Sequence, residues 1–259
     1  MPFAEFGDVR IHYQWDGPEN APVVMLSNSL GTDFSMWDAQ TAAWSKKFRV
    51  LRYDTRGHGQ SPVTPGPYSI QQLGCDVVAL LDTLGIEKVR FCGLSMGGQT
   101  GMWLGGNAPQ RLHQLVLCNT GAKIGNIEGW NARIESIRSG GMKSLAPAVI
   151  ERWFTAEFRA REAEKVAAVQ TMLENTSLEG YIANCEAVRD FDYRERVDKI
   201  ALPTLVVAGA ADVATPPEEG RFIAEHIAGA RFLQLNAAHL SNIEDEARFT
   251  SEVGAFLAG

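Results

Sequence analysis

One stretch decides the fold of this chain: Lys88-Val89-Arg90-Phe91-Cys92-Gly93-Leu94-Ser95-Met96-Gly97-Gly98. It places a G-x-S-x-G motif directly after an apolar run and directly before a glycine-rich helical pattern. A serine on such a strand-to-helix turn has a strained backbone, and Cβ atoms at positions 93 and 97 would collide with the surrounding chain. The free N–H groups at the helix start can stabilise a developing oxyanion. The stretch predicts a nucleophilic Ser95, the alternative being a structural turn.

Short apolar runs alternate with helical patterns on both sides of this motif. Residues 3–6 and 9–15 indicate an antiparallel pair of strands. Later runs are typical of buried strands and fall at residues 22–26, 50–53, 89–92, 115–118, 205–208 and 232–235. Helical patterns fall at residues 69–84, 96–107, 145–158, 162–173, 216–227 and 243–257. The alternation predicts an α/β protein with mostly parallel strands and helices on both faces of the sheet.

One segment interrupts this alternation. From about residue 121 to residue 199 there are helical patterns but no β-branched runs. A long helical segment between two strands indicates a subdomain that lies on the sheet. We therefore predict a helical cap, or lid, at 121–199, inserted into a core formed by 1–120 and 200–259.

The predicted nucleophile needs a base, because a serine hydroxyl is a poor nucleophile at neutral pH. In folds with this motif the chain order is serine, acid, histidine. His113, His226 and His239 follow the serine. His226 falls inside a helical pattern, and His113 precedes a strand. His239 lies in a loop just past the run 232–235, at the carboxyl end of a strand where sites gather, so we predict it as the base.

The acid is expected at the carboxyl end of the preceding strand. Asp212 follows the run 205–208 and meets this expectation, the alternative being a cap on the next helix. The strand at 115–118 ends in Asn119, which cannot carry the charge. We predict that Asp212 orients His239 and stabilises its imidazolium form.

An oxyanion hole needs two backbone donors. One is expected from the N–H of Met96, the residue after the nucleophile. The other is expected from the loop after the strand at 22–26, and we assign it to Leu30, with Ser29 as the alternative. His58 lies in a glycine-rich loop upstream of Ser95, out of the expected order, so we interpret it as structural.

Composition excludes several classes of function. The chain has 259 residues, 45% hydrophobic residues and a net charge of −7, which argues against a nucleic-acid binder. No apolar run reaches the roughly 20 residues of a membrane span, and the N-terminus lacks a signal-peptide layout. We expect a cytoplasmic protein that does not associate with membranes. The histidine and cysteine spacings predict no metal site. We expect no cofactor, and the sequence leaves a homo-oligomer open.

Together these motifs resemble the α/β-hydrolase superfamily and, within it, the 3-oxoadipate enol-lactonases of bacterial aromatic degradation (the β-ketoadipate pathway). The closer resemblance lies in the strings 27–33 and 52–59. Asn28-Ser29 replaces the His-Gly that is common in the superfamily, which leaves a backbone donor unaffected. The resemblance implies an eight-stranded, mostly parallel sheet with a helical cap. It also implies a carboxylic-ester hydrolase that converts 3-oxoadipate enol-lactone, a small anionic lactone, to 3-oxoadipate.

A substrate of this kind carries a carboxylate that needs a fixed cation in the pocket. Arg133 is our candidate, with Trp130 three residues earlier as an apolar wall on the same helical face. The alternative is a solvated surface arginine. Trp153 is a further candidate for the pocket, with helix packing as its alternative. The other basic candidates in the cap are Lys123, Arg138 and Arg152.

Two alternative functions are consistent with the same motifs. The first keeps the triad in a general small-ester carboxylesterase, or in a cofactor-free haloperoxidase or perhydrolase. The second is a ligand-binding protein that keeps the fold without turnover. A haloalkane dehalogenase is excluded because that chemistry needs a carboxylate at position 95.

Overall fold

A computed structural model describes residues 2–259 of the chain; Met1, the first residue of the predicted 1–120 core segment, lies outside them. The described chain forms one eight-stranded sheet in the order β1-β2-β4-β3-β5-β6-β7-β8. The strands are β1 (Phe3–Phe6), β2 (Val9–Asp16), β3 (Val23–Ser27), β4 (Arg49–Tyr53), β5 (Val89–Leu94), β6 (Leu112–Cys118), β7 (Thr204–Gly209) and β8 (Arg231–Leu235). The predicted α/β class and eight-stranded sheet are confirmed.

Strand direction divides the sheet into two parts. β1 pairs with β2, and β2 pairs with β4, in antiparallel register. Every other neighbouring pair is parallel. Along β3, Val24 and Leu26 belong to one buried apolar cluster and Met25 to another, as expected for a strand covered on both faces. The carboxyl ends of the parallel strands therefore share one edge, where loops can assemble a site.

Ten α-helices accompany the strands in residues 2–259. They are α1 (Asp38–Trp44), α2 (Ile70–Thr83), α3 (Met96–Asn107), α4 (Ile127–Trp153), α5 (Ala156–Arg161), α6 (Ala163–Glu174), α7 (Leu178–Asp190), α8 (Pro217–His226), α9 (Ser241–Glu244) and α10 (Glu246–Ala258). Within the described chain, no helix combines the length and the apolar character needed to span a membrane.

Helices α4 to α7 all lie between β6 and β7, and we call this segment (127–190) the insertion. α4 contains a break at Gly141, where φ is 71° and ψ is 176°. The other helices of the insertion begin at Ala156, Ala163 and Leu178. Whether 121–199 forms a separate cap subdomain stays a prediction.

Two predicted helices differ from the structure for a shared reason. The helix predicted at 145–158 is interrupted at Phe154 and Thr155, and the one predicted at 243–257 is interrupted at Asp245. The Glu244 carboxylate accepts hydrogen bonds from the backbone N–H and hydroxyl of Thr155 and from the N–H of Ala238. Because this inward-facing carboxylate joins both breaks, the interruptions follow from a long-range contact that local periodicity does not encode.

Candidate active site

Ser95 lies on the turn between β5 and α3. Its φ is 58° and its ψ is −113°, and its N–H donates to the Cys118 carbonyl at 2.8 Å. A Cβ atom at Gly93 would overlap the Gly97 carbonyl, and one at Gly97 would overlap the Ser27 carbonyl. The close approach that the motif predicts at positions 93 and 97 is therefore present. The turn presents the Ser95 side chain at the edge where the parallel strands end.

Asp212 lies three residues beyond the end of β7 and is 3% exposed. Its Oδ1 accepts from the N–H groups of Ala214 and Thr215, and its Oδ2 accepts from the Thr215 hydroxyl at 2.8 Å. Burial alone would raise the pKa of this carboxyl, but the nearby His239 and these donors outweigh it and lower the pKa to about 2. Asp212 is therefore an ionised acceptor at neutral pH.

His239 lies between β8 and α9, with its Nδ1 2.9 Å from Oδ2 of Asp212. An ionised carboxylate only accepts, so Nδ1 carries the hydrogen and donates it. Nε2 is then free to accept a proton. His239 and Ser95 line the same cavity, so the structure brings together the three residues that the sequence proposes as a triad.

Asn119 and Thr215 support this arrangement, although sequence patterns predict a role for neither. Asn119 Nδ2 donates to Asp212 Oδ2 at 3.0 Å and to the Ala238 carbonyl at 3.1 Å. Its Oδ1 accepts from the Ser241 hydroxyl at 2.6 Å. Asn119 thus ties the acid loop to the histidine loop. The available signal was its position at the carboxyl end of β6, where an uncharged amide can position the acid.

Neither of the two predicted oxyanion donors has a hydrogen-bond acceptor for its N–H within the described residues. The Met96 N–H is the first of α3 and has no intrahelical acceptor. The Leu30 N–H has no hydrogen-bond acceptor within residues 2–259, whereas the Ser29 N–H points to the Met36 sulfur at 3.4 Å. Leu30 also lines the cavity beside Ser95. The geometry favours Leu30 over the alternative, Ser29.

The cavity above Ser95 has a volume of about 430 Å³ and is lined in part by the insertion. Arg133, Trp130 and Trp153 all reach it. The Arg133 guanidinium lies 5.3 Å from the centre of the Trp130 ring and donates to the Tyr181 hydroxyl. The structure therefore places all three predicted substrate-binding residues at the cavity that contains Ser95 and His239.

A second guanidinium, that of Arg152, lines the same cavity. Burial, and then the positive charge of Arg133, lowers the pKa of Arg152, which indicates that the two cations lie close together. The cavity lining contains no Asp or Glu, and neither arginine forms a salt bridge within residues 2–259. Across the same residues, no group of three His, Cys, Asp or Glu side chains is arranged to hold a metal ion. The cavity is suited to an anionic organic molecule.

Comparison with known proteins agrees with this architecture. A family model described as the alpha/beta hydrolase fold matches residues 22–246. The chain belongs to the α/β hydrolase fold family.

This α/β hydrolase has relatives that match it over nearly its full length. It is 43% identical over 250 residues to 3-oxoadipate enol-lactonase 2 of Acinetobacter baylyi, covering 96% of this chain and 94% of the relative. It is 42% identical over 244 residues to 3-oxoadipate enol-lactonase 1 of the same organism, covering 94% and 91%. The crystal structure of the enol-lactonase from Burkholderia xenovorans superposes with a TM-score of 0.98 at 48% identity, covering all of both chains.

Proposed function

We propose that this enzyme is a carboxylic-ester hydrolase that opens 3-oxoadipate enol-lactone to 3-oxoadipate. The observation that carries the proposal is a Ser-His-Asp arrangement beside a cavity with two arginines and no carboxylate. The similarity to the Acinetobacter enol-lactonases supports the same substrate. A guanidinium that has no carboxylate partner in a partly buried cavity favours an anionic substrate, because a desolvated carboxylate on the substrate needs a fixed cation.

Acylation starts at Ser95. His239 Nε2 accepts the hydroxyl proton while Oγ attacks the ring carbonyl, and the N–H groups of Leu30 and Met96 stabilise the oxyanion. Asp212 holds the imidazole tautomer and stabilises the imidazolium. When the intermediate collapses, the ring C–O bond breaks and the leaving oxygen departs as an enolate, a better leaving group than an alkoxide. The His239 imidazolium donates its proton to the enolate, which leaves the imidazole neutral for the second half of the reaction, and the enol tautomerises to the ketone.

Deacylation uses the same groups on a water molecule. The opened chain stays attached through the Ser95 ester, so no fragment leaves during the first half of the reaction. His239 removes a proton from water, the hydroxide attacks the ester carbonyl, and the proton returns to Ser95 Oγ. The acid 3-oxoadipate is then released with one more carboxylate than the lactone had.

Arg133 binds the acetate carboxylate of the lactone in this proposal, and Trp130 and Trp153 provide the apolar walls. The hydrogen bond to Tyr181 and the Trp130 ring hold the guanidinium in one orientation before substrate arrives. Such preorganisation lowers the entropy lost on binding. The Nη1 group of Arg133 donates no hydrogen bond within residues 2–259 and is available to the ligand.

The experiment that tests the proposal compares Arg133→Ala with Arg138→Ala. Arg138 is on the same helix, is exposed and pairs with Glu135, so it is a matched control. We expect R133A to raise KM for the anionic lactone by about 10- to 100-fold, because this factor corresponds to the free energy of one hydrogen bond to a charged group. KM for a neutral aryl acetate should change little. Loss of the lactone absorbance measures the first value, and absorbance of the released phenol measures the second.

Three results would contradict the proposal. The first is an unchanged kcat/KM of R133A for the lactone, and the second is an equal loss in R138A. The third is a wild-type enzyme that turns over the neutral ester faster than the lactone, which would favour a general esterase.

We also propose a cytoplasmic location. All four cysteines are free thiols, and the sulfur atoms of buried Cys92 and Cys118 lie 3.9 Å apart without a disulfide. Thiols in contact persist in reducing compartments.

A further inference from the structure

The direction of the Leu30 N–H depends on the two peptide groups that flank Leu30. The preceding carbonyl, that of Ser29, accepts from the N–H of Thr32 at 3.2 Å and from its hydroxyl at 2.8 Å. In a trans peptide the C=O and N–H groups point in opposite directions. Fixing the Ser29 carbonyl therefore aims the Leu30 N–H away from Thr32.

The following peptide is fixed by a histidine from another loop. The Gly31 N–H donates to Nε2 of His58 at 2.8 Å. His58 is 1% exposed and follows β4 in the loop 54–61. Its Nδ1 lies 3.3 Å from Nδ2 of Asn184 in α7. No hydrogen bond of β3 or β4 fixes the Gly31 amide, so this contact determines its orientation.

His58 can accept this hydrogen bond only when Nε2 is unprotonated. Burial lowers the pKa of His58 to about 4, so the ring is neutral at the pH at which a serine hydrolase works. Because Nε2 accepts from Gly31, the single ring hydrogen of the neutral ring is on Nδ1. The ring therefore acts as a fixed acceptor.

The other side of Gly31 is closed by the insertion. Gly31 has a φ of 83°, which favours glycine, and a Cβ atom there would lie 2.6 Å from Leu173 and 2.8 Å from Tyr181. The Gly31 amide is thus confined between the His58 ring and the apolar side chains of α6 and α7. A shift of this amide would also turn the adjoining Leu30 N–H.

We propose that His58 is a positioning residue for the oxyanion hole: it accepts the Gly31 N–H and so holds the Leu30 N–H in the orientation that stabilises the oxyanion. The inference rests on the proposed serine-hydrolase function but not on the identity of the lactone. The alternative, predicted from the sequence, is that His58 has a purely structural role. The test must distinguish this role from the positioning role.

The test compares His58→Gln with His58→Asn, two neutral amides of similar size. A Gln side chain can place an amide oxygen near the position of Nε2, whereas an Asn side chain reaches only the position of Nδ1. We expect H58N to lower kcat by about 10- to 100-fold with KM for the lactone near wild type, since a misplaced group about 1 Å from its position has that effect. H58Q should recover most of kcat.

The same variants are assayed with a neutral aryl acetate and with a fluorophosphonate that labels Ser95. Both reactions use the oxyanion donors but not Arg133, so H58N should slow both by a factor similar to its effect on the lactone. If the wild-type enzyme does not hydrolyse the lactone, the proposed substrate is refuted. The comparison of H58N with H58Q on the aryl acetate and the fluorophosphonate still tests the role of His58. His226→Gln, at an exposed histidine on α8, is the control and should match the wild type.

Equal kcat values in H58N and H58Q would overturn the inference, as would a rise in KM with unchanged kcat. If H58N does not fold, the ¹⁵N resonances of His58 in the unaltered enzyme decide the question. An unprotonated Nε2 between pH 6 and pH 8, measured by NMR, supports the acceptor role. A proton on Nε2 would refute it.

Discussion

At the scale of a single residue, the backbone of Ser95 has the greatest consequence. With φ at 58° and ψ at −113°, this residue occupies a conformation that an L-amino acid with a Cβ atom rarely adopts. Its hydroxyl makes no capping hydrogen bond with α3. The side chain therefore contributes little to stability while its Cβ atom imposes strain.

Replacing Ser95 with glycine should stabilise the protein while abolishing hydrolysis. Relief of the strain should raise the free energy of unfolding by about 1–3 kcal/mol. The greater backbone entropy of glycine in the unfolded chain should lower it by about 0.5–1 kcal/mol. We expect S95G to melt about 2–4 °C above the wild type by calorimetry. S95A removes the same hydroxyl but keeps the Cβ atom, so it should melt near the wild type. A melting temperature of S95G below that of S95A would refute the strain at this position.

At the scale of elements, α7 contacts the loop 54–61 backbone to backbone. A Cβ atom at Gly180 would overlap the Gly57 carbonyl. We expect Gly180→Ala to separate the two segments and to destabilise the protein by about 1–3 kcal/mol, as overpacking does. Because His58 and Asn184 lie at this contact, kcat should fall as well. Chemical denaturation and steady-state kinetics measure the two effects.

Gly140→Ala is the matched control for this prediction. Gly140 lies in α4, and the added Cβ atom would meet only Ser144, closely at its rotatable hydroxyl and at 3.0 Å from its Cβ atom. Alanine is also the better helix former by up to about 1 kcal/mol. G140A should therefore be neutral or stabilising, and a loss as large as that of G180A would show that the contact with Gly57 is not the cause.

How far the sequence predicts these elements depends on whether the signal is local. α3 begins and ends where predicted, because the turn at Ser95 and the glycine-rich pattern lie within a few residues. The breaks at Thr155 and Asp245 depend on Glu244, which reaches across the fold. Local sequence patterns do not predict such a long-range contact.

The candidate site shows the same division. Ser95, Asp212 and His239 could be predicted because each follows a strand in a known chain order. The roles of Asn119 and His58 could not, because each depends on a hydrogen bond to a loop far away in sequence. The order of the strands in the sheet brings Asn119 and His58 next to these distant loops.

At the scale of the whole molecule, the net charge of −7 opposes the charge of the cavity. An anionic lactone is repelled at long range but attracted by Arg133 and Arg152 at short range. At 0.1 M salt, interactions between exposed charges more than about 10 Å apart are largely screened, whereas attraction inside a partly buried cavity is screened less. Because salt removes the long-range repulsion first, kcat/KM for the lactone should rise by about twofold between about 0.02 and about 0.5 M salt.

The neutral aryl acetate is the control and should show a flat salt dependence. R133A should keep this rise for the lactone, because the repulsion comes from the molecule as a whole. A kcat/KM for the lactone that falls with salt would contradict the prediction and show that the two arginines dominate the approach of the substrate.

The insertion leaves the sheet after β6 and returns before β7, while Ser95, Asp212 and His239 all lie outside it. If Arg133 binds the substrate as proposed, bond cleavage and choice of substrate are encoded in separate stretches of the sequence. A graft of this stretch from a related hydrolase would transfer selectivity without touching the reactive groups. Such a chimaera would work only if the incoming helices also brought counterparts of Tyr181, which packs against Gly31 of the oxyanion loop, and of Asn184, which donates to the Arg56 carbonyl in the loop that carries His58.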